Sequence, residues 1–358
     1  MNGLDRLLSE PELPYSGSRV GLLGHHASVT HTGQHTVDAL KKRKEWTLVK
    51  LFSPEHGFFG KAGAGEKVQD SFHPEWNLPV HSLYGEHRSP PDAWLEGLDL
   101  MVIDLQDLGV RCYTYASTLA LMLQACTKNE IRVLVLDRPT PLAGWIDGPN
   151  LDSELGSFVG MIDLPVVFGL SQGHLAHFLK SHEPSLKKLR LDSIFGDPET
   201  KAPESWIPPS PAIVSSDSAK MYPMTVWCEA IPRVWVDRGG SSSFQVWCMP
   251  DFPEALLTSL PRFTGIQASP IRSKTPEGEW SGLRFDLTDS KEVHPVANAV
   301  TLLCALRDEL GADRLFNDPK SRPDFFDQLM GTSSVREQIQ VGWSAEDIVK
   351  RWRVKGGE

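Results

Sequence analysis

Two carboxylates and an imidazole, Glu55, His56 and Glu66, stand close together in the stretch TLVKLFSPEHGFFGKAGAGE, Thr47 to Glu66. Further carboxylates, Asp104 and Asp107, follow a second apolar run, and Glu229 lies far downstream. Carboxyl groups in unlike surroundings are what glycoside hydrolysis uses, one protonated to release the leaving sugar and one ionised. A plainer reading stands beside it, in which Glu55 caps a helix and His56 is a packed core histidine. Carboxylates are common enough that residue types alone leave glycoside hydrolysis one candidate among several.

Other chemistries find less to use. His25, His26, His31 and His35 are dense, and His31 and His35 have the spacing of a helical metal pair. Thr32 and Gly33 between them oppose a helix, and no HExxH frame is present, so no metal is expected. A metal-dependent hydrolase using these histidines remains a rival reading. No GxSxG elbow, GxGxxG turn or GxxxxGK[ST] loop occurs, which disfavours a serine nucleophile, nicotinamide chemistry and an ATPase. No organic cofactor is expected.

The elements that must position these groups can be read from periodicity. Thr47 to Phe52 is predicted as a short buried strand ended by Pro54, which cannot donate to a sheet ladder, with Gly57 letting the backbone turn. Glu55 and His56 then fall just past a strand's carboxyl end, where open α/β sheets bind ligands. The run from Gly60 to Gly65 reads as a ligand-wrapping loop. Strands are also expected at Arg19 to Leu23, Leu78 to Tyr84, Leu98 to Leu105 and Ile131 to Leu136. Helices are expected at about Gln34 to Lys44, Pro91 to Glu96, Ala116 to Lys128 and Gln172 to His182. Strands that end in polar clusters and alternate with helices predict a Rossmann-like, doubly wound, mostly parallel sheet. Five prolines between Gly196 and Pro211 mark a connection, so a first domain over 1–195 and a smaller α+β domain over 196–358 are expected. In the second, strands are predicted at Phe244 to Met249 and Gly282 to Thr288. A long helix is predicted at His294 to Leu310, with three short ones around Asp324 to Met330, Ser333 to Ile339 and Ala345 to Arg353.

Composition bounds the partners. The 358 residues suit two domains, and 40% hydrophobic with 23% charged residues is ordinary for a globular protein. A net charge of -10, with no basic block beyond Lys41 to Lys44, disfavours nucleic acid. Five scattered cysteines without a CxxC pair suggest neither a disulfide framework nor a zinc site. The amino terminus lacks a signal-peptide pattern and no long apolar run occurs, so a cytoplasmic chain without membrane association is expected. Oligomeric state is not legible.

Several strings carry a resemblance. SPEHG at Ser53 to Gly57 with GEK at Gly65 to Lys67, DLQDLGVRCYTY at Asp104 to Tyr115, LDRPTPLAG at Leu136 to Gly144 and Gly148-Pro149 occur in order, with WSAEDIVKRW at Trp343 to Trp352. Together they resemble the exo-β-N-acetylmuramidase (NamZ-like) family of peptidoglycan hexosaminidases, from Val20 through most of the chain. The resemblance implies a Rossmann-like domain joined to a smaller one, with the active site in the cleft between them. It makes Glu55 the leading catalytic carboxylate, with Glu66 and Glu229 as further candidates. It lines the same cleft with the Asp104 to Tyr115 cluster, including Gln106, Arg111 and Tyr113, and His25, His56, Arg138 and Arg238 are further substrate-binding candidates. The implied substrate is an amino sugar, N-acetylmuramic acid at the non-reducing end of peptidoglycan fragments, in cell-wall recycling. An arginine, Arg111, Arg138 or Arg238, is expected to meet its lactyl carboxylate.

The departures from the family pattern are specific. Gly24-His25-His26-Ala27-Ser28 stands where members read TNQTG, so His25 replaces a substrate-contacting Asn. In the second domain Glu229 survives in CEAIP, Pro232 replaces an Asn, and Asp237-Arg238-Gly239-Gly240 stands for GRGT. Val167 to Ser171 stands for RHGMT. A catalytically weakened homologue that binds muropeptide sugars is therefore the second reading.

Overall fold

The computed structural model describes residues 2–196 and 206–355. Part of the proline-rich connection expected after Gly196, including Pro198 and Pro203, lies outside the described residues.

A seven-stranded sheet organises the first unit. Its strands are β1 (Arg19–Gly24), β2 (Thr47–Ser53), β3 (Ser71–Phe72), β4 (Pro79–Ser82), β5 (Leu100–Asp104), β6 (Arg132–Leu136) and β7 (Leu191–Ile194). They lie in the order β3-β4-β2-β1-β5-β6-β7, all parallel except β3. The flanking helices are α1 (Gly3–Ser9), α2 (Thr36–Lys41), α3 (Asp92–Leu95), α4 (Tyr115–Lys128) and α5 (Gln172–His182). This is the doubly wound, mostly parallel sheet that the alternating pattern predicts. Every residue of β5 is buried, which is why it reads as an apolar run without alternation. Val20, Leu22, Leu100, Val102, Leu134 and Leu136 pack with Leu4 and Leu7 of α1. Each such side chain contributes about 1.5–3 kcal/mol by leaving water. Helix α1 is absent from the sequence reading; its sign is Asn2, whose side chain accepts from the Asp5 amide while Asp5 reaches back to the Asn2 amide.

The second unit carries a three-stranded antiparallel sheet, β8 (Val246–Met249), β9 (Ile266–Thr275) and β10 (Gly278–Leu287), in the order β8-β10-β9. Around it lie α6 (Ser216–Thr225), α7 (Glu254–Thr258), α8 (Pro295–Leu310), α9 (Ala312–Phe316), α10 (Pro323–Met330), α11 (Ser334–Gln340) and α12 (Ala345–Lys355). Helix α8 packs on α6 and α12.

The chain passes between the units more than once. Unit one holds Met1–Gly109, Tyr113–Ala143 and Leu170–Pro211, and unit two the remainder. This differs from a single cut near residue 195. The Pro- and Gly-rich run after Pro139 leaves the first unit at Gly144. The Arg111 amide donates to the Val166 carbonyl at 2.7 Å, and Val167 bridges both Val110 and Asp147. These backbone bonds are satisfied inside the second unit.

Gly282 of β10 pairs with Cys248 of β8, and a Cβ on it would overlap the Trp247 carbonyl. Gly282→Ala is therefore expected to destabilise the small sheet by about 1–3 kcal/mol. Thermal unfolding checks this, and an unchanged melting temperature would contradict the packing described.

Candidate active site

β1 and β5 lie side by side while the chain leaves them toward opposite edges, so their carboxyl ends form the switch-point crevice of the sheet. Side chains stitch this crevice together. Arg138, following β6, forks onto Asp104, with Nε to Oδ1 at 2.5 Å and Nη2 to Oδ2 at 3.0 Å. Thr36 donates to the same carboxylate at 2.5 Å, and Arg138 Nη2 donates to the Val29 carbonyl at 2.8 Å. Ser28 Oγ donates to the Asp104 carbonyl at 2.5 Å. His25 Nε2 accepts from the Gln106 amide at 3.0 Å. That bond requires the neutral imidazole, and burial pushes the His25 pKa well below its ordinary value. His25 and Asp104 are 0% exposed. The Gln106 side chain donates to the carbonyls of Asp107 and Pro139. Three residues expected on the substrate, His25, Asp104 and Arg138, thus hold strand ends together. A buried charge must find a partner, and Asp104 and Arg138 find it in each other.

Glu55 lies one strand over, past the end of β2. Pro54 stops the strand, and His56 and Gly57 follow at φ +68° and +76°, a reversal that is unusual for the histidine and easy for the glycine. His56 is held there from both sides. Its Nδ1 donates to the Ala62 carbonyl at 2.8 Å, and the Ala62 amide donates to the His56 carbonyl at 3.2 Å. The imidazole therefore serves the loop. The loop returns to Glu55: the Gly65 amide donates to Oε1 at 2.7 Å. Thr114, at the start of α4, donates to Oε2 at 2.7 Å. Glu55 keeps 7% of its surface. A hydroxyl partner donates to a carboxylate and accepts from a carboxylic acid, so Thr114 can hold Glu55 in either protonation state. Glu66 is exposed and accepts from the Gly63 amide at 2.8 Å within its own loop.

Tyrosines surround this carboxyl. Tyr84 follows β4 and interacts through its hydroxyl with Glu55 and Arg88; burial, then the charge of Glu55, pushes its pKa up to about 12. The Tyr115 hydroxyl lies 3.0 Å from the Pro209 carbonyl and 3.4 Å from that of Glu55. Tyr113 and Tyr115 rings lie 4.8 Å apart, and both pKa values are raised by burial, with Glu55 and Asp107 adding to it. Asp107 accepts from the Leu108 and Gly109 amides and from the Gln172 side chain. Burial raises its pKa to about 6. Tyr84 and Arg88 escaped the sequence reading. The available signal was that LPVHSLY ends beside SPEHG once the two strands are taken as parallel neighbours.

In the second unit Arg111 is 1% exposed and donates to the carbonyls of Pro149, Leu164 and Met330. It is a tie between chain segments, not the rim cation expected. Glu229 and Arg238 pair at 2.6 Å, with the Arg238 guanidinium 5.4 Å from the Phe244 ring centroid.

The metal pair considered for His31 and His35 does not form. His31 Nδ1 bonds Asp5 at 2.9 Å. His35 caps α2 through Nδ1 and donates from Nε2 to the His25 carbonyl. Among the described residues no group of three or more His, Cys, Asp or Glu could hold a metal ion. No described helix is long and apolar enough to cross a membrane.

Fold and site define a two-unit α/β protein with a nearly buried carboxyl, Glu55, at a parallel strand end. Residues 20–217 match the model for the exo-beta-N-acetylmuramidase NamZ N-terminal domain, and residues 220–356 that for the C-terminal domain. The chain belongs to the exo-β-N-acetylmuramidase NamZ family. It is 30% identical to the peptidoglycan beta-N-acetylmuramidase NamZ of Bacillus subtilis, over 98% of this chain and 86% of the relative. Two crystal structures of DUF1343 family proteins from Bacteroides fragilis are similar. One has a TM-score of 0.83 at 27% identity, covering 96% of this chain and 91% of that one. The other has a TM-score of 0.77 at 26% identity, covering 99% and 94%.

Two outcomes follow. Arg138→Met leaves the Asp104 charge buried without its partner and is expected to destabilise by about 3–5 kcal/mol, read by urea unfolding; a loss below about 1 kcal/mol would contradict the pairing. Asp107 is raised from about 4 unfolded to about 6 folded. Its contribution is thus fully present below the unfolded value and lost as pH rises through the folded one. Relative to Asp107→Asn, the wild-type protein should lose stability across that window. A constant difference would contradict the shift.

Proposed function

We propose that this protein is an exo-acting β-N-acetylmuramidase that releases N-acetylmuramic acid from the non-reducing end of peptidoglycan fragments. The observation that carries the reading is Glu55, a nearly buried carboxyl between the Gly65 amide and the Thr114 hydroxyl, in a chain of this family. In this reading Glu55 gives its proton to the glycosidic oxygen as the leaving sugar departs, and the Gly65 amide and Thr114 hydroxyl donate to the carboxylate that remains.

The opposing role we assign to the sugar's own acetamido group. Asp104 is forked by Arg138, Asp107 is ringed by donors, and Glu66 holds its loop. Substrate assistance needs no carboxylate nucleophile from the protein. Replacing the acetamido by the weaker nucleophile trifluoroacetamido should slow turnover by about tenfold or more. An unchanged rate would require a protein nucleophile.

We place the activity in cell-wall recycling in the cytoplasm, a reading that rests on five thiols without a disulfide among them. Fractionation of the source cells tests the compartment.

The direct test is sugar release from a chromogenic N-acetylmuramic acid glycoside, beside an N-acetylglucosamine control. Glu55→Gln should fold and turn over about a hundredfold more slowly, or worse. A folded Glu55→Gln protein with unchanged turnover would remove Glu55 from the mechanism. Binding of the sugar by the wild-type protein without release would favour a binding homologue.

A further inference from the structure

We infer that Arg88 is the specificity-determining cation of the Glu55 site, the group that meets an anionic carboxylate substituent on the bound sugar. The inference rests on the function proposed above and names the residue that distinguishes an N-acetylmuramic from an N-acetylglucosamine unit.

The arginines that the sequence offers for this task are engaged elsewhere. Arg111 serves three carbonyls, Arg138 forks onto Asp104 and Arg238 pairs with Glu229. Arg88 is placed differently. Its guanidinium carbon lies 3.5 Å from the Tyr84 ring centroid, and the Tyr84 hydroxyl interacts with both Arg88 and Glu55. Cation and carboxyl thus address the same tyrosine. Arg88 is half-buried, with its Nη1 enclosed.

Stacking suits the task. A guanidinium lying on an aromatic ring by its face keeps its N–H groups in the plane, directed sideways, where a carboxylate can be met by two parallel bonds. The platform is fixed in turn. The Leu83 amide donates to the Ser53 carbonyl at 2.9 Å, and the Val68 amide to the Tyr84 carbonyl at 2.9 Å. A Cβ on Gly85 would strike the Val68 carbonyl, so the turn carrying Arg88 lies directly against the segment that follows Gly65. One loop therefore sets both Glu55 and the Tyr84 platform. An anion on Arg88 would be read relative to the reacting bond, as discrimination requires.

The test compares Arg88→Met and Arg88→Lys with the wild-type protein on the two chromogenic glycosides, after circular dichroism shows each variant folded. Arg88→Met should raise KM for the muramic substrate by roughly ten- to a hundredfold, the worth of a charge-assisted bond. The ratio of kcat/KM on the muramic substrate to that on the glucosamine substrate should fall by a similar factor. Arg88→Lys should restore part of the loss. Equal losses on both substrates, or a fall in kcat with KM unchanged, would overturn the inference and leave Arg88 a support for Tyr84. Wild-type protein that cleaves neither glycoside would overturn the proposed function instead. Calorimetry with the two free sugars then decides the inference without turnover. Tighter binding of N-acetylmuramic acid, abolished in Arg88→Met, sustains it, and a preference that survives the change overturns it.

Discussion

The buried pair between Asp104 and Arg138 is the constraint on which the rest of the first unit depends. It joins the ends of β5 and β6, and through Thr36, Ser28 and the Val29 carbonyl it draws in the loop after β1. An ion pair of this kind adds little net stability over an apolar replacement, because desolvating both charges offsets their attraction. Its effect is geometric. With two bonds from Arg138 and one from Thr36 on the same carboxylate, the strand ends are held where neither charge is left unpaired.

That arrangement leaves the candidate site one strand away from the switch point itself. The crevice between β1 and β5 is filled by His25, Ser28 and Gln106, each bonded across it or beside it. The neighbouring end, of β2, carries a carboxyl whose partners are the Gly65 amide and the hydroxyls of Thr114 and Tyr84. The two carboxylates, Asp104 and Glu55, show how burial alone fails to mark a reactive group. Asp104 is locked by a fixed charge, whereas Glu55 is held by groups that tolerate a change of protonation. The left-handed turn at His56 and Gly57 serves the same end, since it returns the loop so that Gly65 reaches Glu55.

Much of this was legible in the chain. The central strands announce themselves because both faces are covered, so β2, β5 and β6 read as apolar runs, and Pro54 places Glu55 just beyond one of them. The edges were not legible: β3 is two residues long, β7 is half-buried, and β9 alternates exposed and partly buried residues around Pro270. Such strands carry little periodic signal. The site was legible as a neighbourhood but not as a set of roles. Which partner an arginine finds is decided in three dimensions, and Arg138 and Asp104, 34 residues apart, could equally have faced a ligand as far as their positions after strands reveal. Tyr84 was read as a strand end because nothing local marks it; its role comes from β4 lying beside β2.

The central claim is that Glu55 supplies the proton to the leaving group. It is tested most directly by varying that leaving group in wild-type and Glu55→Gln proteins. A proton donor matters for a poor leaving group such as a sugar alcohol and little for an acidic phenol such as dinitrophenol. The account predicts that Glu55→Gln loses about a hundredfold or more on the sugar-linked muramic substrate and retains near wild-type rates on the dinitrophenyl glycoside. Equal losses on both would contradict it, since they would place Glu55 in a role that does not depend on the leaving group.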